Sequence, residues 1–109
     1  MKGMVIFMDV FYQVMELNVP KNNLNLITVN TRLFDDKEKA MELFYERSNY
    51  IRQVHKGDSI QKLHLCVGED PYATEFNEEV IHFLLETDYH IFEITMDEIT
   101  LNDNVDLDF

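Results

Sequence analysis

The sequence predicts a single α+β domain with the element order β-β-α-β-α-β: about four strands in one sheet, with two helices packed on one face. Strand-like and helix-like segments alternate along the chain, and a length of 109 residues is enough for one hydrophobic core but not for two. We expect residues 1–101 to form this domain and residues 102–109 to form an acidic tail that frays.

The first part of the chain predicts two strands joined by a turn. Residues 4–17 are rich in β-branched and aromatic side chains, and both alternating sets are largely apolar. That pattern indicates a strand that is central or covered on both sides. Residues 18–23 (NVPKNN) are typical of a turn, and a second strand is expected at 24–34, again with apolar residues in both sets.

A helix is predicted over residues 36–55. Asp35 is placed to cap its first turn, and Glu38 follows three residues later, which is the capping-box spacing. The apolar residues then recur at helical intervals, and Gly57 stands where a helix commonly ends. The members of the apolar stripe are Met41, Phe44, Tyr45, Ser48, Ile51 and Val54.

The second half predicts a strand, a helix and another strand. Residues 60–67 alternate in polarity, and a helix is expected within 71–87. Residues 89–96 alternate again, and 98–101 could add a short strand. The inward-facing residues of the first of these strands are expected to be Leu63, Leu65 and Val67. The residues that fit one face of the expected helix are Ala73, Phe76, Val80, Phe83 and Leu84.

Charge is distributed unevenly along the chain. The net charge is −12, yet the first 66 residues hold all nine Lys and Arg together with eight acids. The last 43 residues hold the other thirteen acids and no Lys or Arg. Phosphate contacts need clustered Lys and Arg, so this balance opposes direct binding of nucleic acid.

Motifs that carry chemistry are few. His64 and Cys66 share one strand face, but zinc needs four ligands in known spacings. A reactive thiolate, paired with His64 or His90, needs an electropositive setting, whereas the chain after Cys66 is acidic. Neither a glycine-rich nucleotide loop nor a complete calcium-binding loop is present. Adjacent acids, such as Asp97 and Glu98, point apart on a strand. We therefore expect no catalytic activity, no cofactor and no metal.

The chain is expected to be soluble and cytoplasmic. Its one cysteine, Cys66, cannot form an intrachain disulfide, which fits a reducing compartment. The apolar run at residues 1–8 begins like a signal peptide, but Asp9 interrupts it and no small-residue cleavage site follows. No stretch approaches the roughly 20 apolar residues that a membrane span requires.

The acidic C-terminal region suggests a function by charge. We expect an inhibitor that occupies a basic surface of a larger protein, most plausibly one that binds nucleic acid, because carboxylates can take the place of phosphates. Counter-defence proteins of phages and mobile elements, anti-CRISPR proteins among them, and inhibitors of nucleases are often this small and this acidic. That analogy rests on size and charge alone, and no motif identifies such a family.

The expected contacts lie on the second helix and beside it, with tyrosines as anchors because tyrosine is enriched at binding hot spots. They are Glu75, Glu78, Glu79, Glu86, Asp88, Asp97, Glu98, Tyr72 and Tyr89. Two alternatives remain open. One is a homodimeric structural or regulatory module that pairs through its apolar N-terminal strand. The other is that the acidity serves only solubility.

Overall fold

The computed structural model describes residues 8–69 and 79–102 of the chain. This part is α+β, as predicted, with one helix and one five-stranded sheet. In chain order its elements are β1 (Met8–Pro20), a 3₁₀ turn (Leu24–Leu26), β2 (Thr28–Phe34), α1 (Lys37–Val54), β3 (Ile60–Glu69), β4 (Glu79–Thr87) and β5 (His90–Asn102).

The sheet is antiparallel throughout, with the strand order β2-β1-β5-β4-β3. β1 and β2 are consecutive neighbours, and β3, β4 and β5 form a meander that returns β5 to the side of β1. β1 is therefore an interior strand with a neighbour on each side, which agrees with one of the two positions that its apolar sets indicated. β2 and β3 are the edge strands, and α1 connects them across one face of the sheet.

The predicted helix is confirmed to within a residue at each end. Its cap is Asp36 rather than Asp35, because the Asp36 Oδ1 accepts a 2.9 Å hydrogen bond from the Glu38 backbone N–H. The side of α1 that packs on the sheet consists of Ala40, Phe44, Ser48 and Ile51, all of them buried. The Ser48 hydroxyl donates a 2.7 Å hydrogen bond to the Phe44 carbonyl, which satisfies its buried oxygen.

The hydrophobic core lies between α1 and the centre of the sheet. Residues directly opposite each other in an antiparallel pair point to the same face, so the register identifies the residues that face α1. We call this side the helix face. Its buried residues are Val14 of β1, Ile81, Phe83 and Leu85 of β4, and Phe92, Ile94 and Met96 of β5.

The expected second helix is wrong for the part of it that the structure describes. Residues 79–87 form β4, which raises the strand count to five and leaves one helix in the described chain. The helical interpretation combined Phe83 with Leu84, but these neighbours lie on opposite faces of β4. The error has a physical cause: one alternating set of β4 is apolar at Ile81, Phe83 and Leu85, and the other set adds apolar residues at positions 80 and 84, so the apolar residues fit either period. Residues 70–78 lie outside the described part.

Several boundaries also differ from those expected. β1 continues through the expected turn to Pro20, because residues 18–20 remain paired with β5. The second strand begins at Thr28, since Leu24–Leu26 form a 3₁₀ turn. β5 joins the two C-terminal strand segments into one and ends at Asn102, which the sequence had assigned to the tail. Residues 103–109 lie outside the described part.

Candidate functional site

The two faces of the sheet differ in how they are covered. α1 packs on the helix face, and no element of the described chain covers the opposite side, which we call the open face. Next to β2 the open face is apolar, and towards β4 it carries carboxylates. The apolar part consists of Phe11, Met15, Leu17 and Val19 of β1 together with Val29 and Leu33 of β2. The carboxylates are Glu86, Glu93 and Asp97.

The apolar part of the open face is exposed most at the edge strand. Val29 is 54 % exposed and Leu33 is 60 % exposed, whereas the apolar residues of β1 on this face are half-buried. The described side chains of β1 and β2 on this face include no charged group. Two polar residues lie within this area, Gln13 opposite Leu33 and Thr31 opposite Met15. Exposed apolar surface commonly marks a site of protein interaction.

The carboxylates on the open face differ in their surroundings. Glu86 Oε2 is 2.6 Å from the ammonium of Lys21, which also donates a 3.2 Å hydrogen bond to Gln61. Glu93 Oε1 lies 3.6 Å from Nε2 of His82. Asp97 is exposed. Glu86 is thus held in an ion pair, while Glu93 and Asp97 have no Lys or Arg partner among the described residues.

The structure separates the predicted contact residues that it describes. Glu86 and Asp97 lie on the open face, whereas Glu98 lies on the helix face, opposite the partly buried Tyr12. Asp88 and Tyr89 form the turn between β4 and β5. Asp88 Oδ1 accepts a 2.6 Å hydrogen bond from Gln61, and Tyr89 is 67 % exposed.

Of the other four predicted contact residues, one lies in a described element. Glu79 is the first residue of β4. Tyr72, Glu75 and Glu78 lie outside the described residues. The described members of the expected contact set therefore lie in strands and in one turn, and none of them lies on a helix.

On the helix face, Arg47 has a structural role. Its Nε and Nη2 donate hydrogen bonds of 2.7 and 2.9 Å to the two carboxylate oxygens of Glu16, and the guanidinium lies 4.8 Å from the centre of the Tyr50 ring. The hydrogen bond to Glu16 raises the pKa of Arg47 above its ordinary value, while burial opposes that rise. This ion pair ties the middle of α1 to β1.

The cysteine and histidines do not assemble a recognisable reactive site. Cys66 and His64 lie on the open-face side of β3, and the rings of His64 and His82 are 5.5 Å apart. His90 is on the helix face, where it stacks on Phe92 at 5.4 Å, so it cannot pair with Cys66. Among the described residues, no three His, Cys, Asp or Glu form a group that could hold a metal ion.

No protein-family model, curated protein or solved structure matches this chain. Its function has to be argued from its own residues. Within the described ranges, no helix is both long enough and apolar enough to cross a bilayer.

Sequence reasoning missed the apolar part of the open face, although a signal for it was present. The first two strands are apolar in both alternating sets, and one helix can cover only one of those sets. The second set belongs to the open face. Counting the covering elements against the apolar sets would have identified this surface.

Proposed function

We propose that this chain is a non-catalytic protein-binding protein that docks its open face on a larger protein. The partner surface would be apolar at the centre of the contact and basic beside it. The observation that carries the proposal is the open face itself, where an exposed apolar area borders carboxylates that lack a Lys or Arg partner in the described chain.

The apolar area would form the centre of the interface. Interface cores resemble protein interiors, with charged residues depleted at the centre and concentrated at the rim. Met15, Leu17, Val29 and Leu33 offer such a centre, because they are neighbours on β1 and β2 and no charged side chain separates them. Burying this surface against a partner would supply most of the binding free energy.

Charge would select the partner and speed the encounter. With a net charge of −12, the chain attracts basic surfaces over distances comparable to the Debye length, and added salt weakens that attraction. Glu93 and Asp97 would sit at the rim of the contact. Basic surfaces of this kind are common on proteins that bind nucleic acid, so docking there would exclude the nucleic acid and inhibit the partner.

Tyr89 would anchor one end of the contact. It lies in the turn between β4 and β5 and is the most exposed of the large hydrophobic side chains described. Tyrosine contributes strongly at interfaces because it buries a large, rigid ring and retains a polar hydroxyl. Of the two predicted anchors, it is the one that the structure describes.

A homodimeric structural or regulatory module is the second candidate function. The N-terminal strand cannot provide the edge expected for it, because β1 is paired with β2 on one side and with β5 on the other. A different strand, β3, has an edge to which no described strand is bonded.

Binding to a purified partner would test the proposed function. Partners captured from a host lysate at low salt would be identified by mass spectrometry and then titrated by calorimetry, with and without competing nucleic acid. The open-face variant carries Glu93→Lys and Asp97→Lys. Its matched control carries Glu42→Lys and Glu46→Lys on the exposed side of α1 and changes the net charge by the same amount.

The expected result is specific to the open face. The open-face variant should bind at least about tenfold more weakly, equivalent to about 1.4 kcal/mol, while the control stays close to wild type. Nucleic acid should compete with the wild-type protein for the partner. Equal losses in both variants would mean that net charge alone matters, and would contradict docking through the open face.

A further inference from the structure

We propose that the groove between the end of α1 and the beginning of β3 binds a small amphiphilic carboxylate, a molecule with an anionic head and an apolar body. The groove lies on the helix face and has a volume of about 390 Å³. One side of it is apolar and the other carries two cations, and these two features define the class of ligand. The inference concerns a different surface from the open face and does not depend on the proposed function.

The floor of the groove is apolar. Ile60 and Leu63 of β3 line it together with Leu85 of β4, which pairs with Leu63 and is fully buried. Ile60 is 45 % exposed and Leu63 is 48 % exposed, because α1 packs mainly over β5, β1 and β2. An apolar chain lying in the groove would remove this exposed surface from water, which favours binding in proportion to the area buried.

The wall of the groove is polar, although it stands above that apolar floor. Asn49, Arg52 and Gln53 form one side of the last turns of α1, spaced by three and four residues, and Lys56 follows in the turn after the helix. All four side chains are exposed. A wall that only closed the core would be apolar, as is most of the side of α1 that packs on the sheet. The groove therefore presents two different chemistries to one occupant.

Charge selects the head group of that occupant. Arg52 and Lys56 have no ion-pair partner among the described residues, and no described Asp or Glu lines the groove. The guanidinium of Arg52 can hold a carboxylate through two parallel hydrogen bonds, and the ammonium of Lys56 adds a second positive charge. The amides of Asn49 and Gln53 can donate to the same oxygens. Arg52 also suits the helix dipole, but the dipole accounts for neither the amides nor the floor.

The size of the groove favours a small molecule. Small-molecule sites commonly enclose about 300–1,000 Å³ and combine an apolar lining with a few polar groups. The undescribed residues of this sequence adjoin Met8, Glu69, Glu79 and Asn102, which the register places at one end of the sheet, whereas the groove lies beside Ile60 at the other end. The ten residues of β3 span about 30 Å between those ends. Residues 1–7 or 103–109 reach at most about 25 Å, and residues 70–78 must return to Glu79, so none of them fills the groove.

Isothermal titration calorimetry with octanoate, octylamine and 1-octanol tests the class of ligand. The three probes share an eight-carbon skeleton and differ in the charge of the head group, so the comparison isolates the contribution of the two cations. Octanoate should bind with one molecule per chain and at least about tenfold more tightly than either of the others. From hexanoate to octanoate, binding should tighten by up to about fourfold for each methylene that the floor buries.

Two double variants with the same change in net charge test the head-group site. The groove variant carries Arg52→Gln and Lys56→Gln. Its matched control carries Lys39→Gln and Lys62→Gln, which are exposed and do not line the groove. The groove variant should bind octanoate at least about tenfold more weakly, and the control should stay within about twofold of wild type. Octanoate should also raise the Tm of wild type and of the control, but not that of the groove variant.

A second matched pair tests the floor. Leu63→Gln changes a residue that lines the groove, and Leu65→Gln changes a residue of the same strand and face that does not line it and is almost equally exposed. Octanoate binding should weaken at least about tenfold in the Leu63 variant and should change little in the Leu65 variant. Circular dichroism checks that both variants are folded. In wild type, methyl NMR should show octanoate shifting Ile60 and Leu63.

Three results would overturn the inference: equal binding of octanoate and octylamine, equal losses in the groove variants and their controls, or methyl shifts at Met15 and Leu17 of the open face instead of Ile60 and Leu63. Sedimentation covers another occupant. A dimer that octanoate dissociates, and that Arg52→Gln with Lys56→Gln weakens, would assign the groove to a second copy. Failure of this inference would leave docking through the open face unaffected, because the two sites share no residue.

Discussion

Replacing Leu85 by alanine should destabilise the fold far more than replacing its neighbour Leu84. Leu85 is fully buried on the helix face, between Leu63 of β3 and Phe92 of β5. Leu84 lies on the open face and is half-buried. Truncating a buried leucine lowers the free energy of unfolding by about 2–5 kcal/mol, because the removed methyl groups no longer gain from burial and a cavity remains in their place. Truncating Leu84 leaves no buried cavity, so the free energy of unfolding should fall by only about 1 kcal/mol.

Urea unfolding followed by circular dichroism would measure both changes. The midpoint should fall much further for Leu85→Ala, with an unchanged m-value, because the mutation alters stability and not the surface exposed on unfolding. In thermal unfolding, each kcal/mol should lower Tm by about 4 °C. Equal losses at the two positions, or a larger loss at Leu84, would refute the strand assignment of β4. Phe83 and Leu84 would then share one buried face, as they do in the helical interpretation.

Two further predictions concern contacts that hold the sheet together. Thr87 is buried, and its Oγ1 accepts hydrogen bonds from the backbone N–H groups of Tyr89 and His90 at 3.2 and 3.1 Å. Thr87→Val removes this acceptor, so the free energy of unfolding, measured by thermal unfolding, should fall by about 1–3 kcal/mol. A stability unchanged by that substitution would contradict the turn geometry. The ion pair of Arg47 with Glu16 is partly exposed, so a double-mutant cycle should give a coupling energy of about 1 kcal/mol or less. Because the pKa of Arg47 is raised, the guanidinium should stay charged throughout the accessible pH range. A repulsive coupling would count against the bidentate contact.

The helix could be predicted because only a helical period fits the spacing of its apolar residues. Apolar residues recur at helical intervals along it, and an acidic cap precedes them. Of the predicted stripe, Phe44, Ser48 and Ile51 are buried, whereas Tyr45 and Val54 are exposed. β4 could not be identified in the same way, since its apolar residues fit both a helix and a strand. The pairing partners on either side decide the matter, because β3 and β5 bond to both edges of β4. β5 follows β4 after a two-residue turn and β3 precedes it by nine residues, so both partners lie outside β4 and the spacing within β4 does not reveal them.

The candidate surface was predictable in charge but not in position. Counting acids locates the charge in the C-terminal part of the chain, but a count does not assign a face. Asp97 and Glu98 are adjacent in sequence and lie on opposite sides of β5. The apolar part of the open face was missed because the two apolar sets of the first strands were not compared with the single face on which helices were expected to pack.

The exposed edge of β3 follows from the same limitation. Leu63, Leu65 and Val67 were predicted to face inward, and they do share a face with the core. Their exposure comes from the position of β3 at the end of the sheet order, beyond the area over which α1 mainly packs. Edge and centre positions are properties of the assembled sheet, so the same alternating sequence would be buried in a central strand.

The most direct test of the central claim is methyl NMR of the labelled chain titrated with a purified partner. The open-face methyl groups of Met15, Leu17 and Leu33 should shift or broaden on binding, while those of Leu85 and Ile94 on the helix face should not. That result would support the open face as the docking surface. Changes confined to Leu63, Leu65 and Val67, or to α1, would contradict it and place the partner on another surface of the protein.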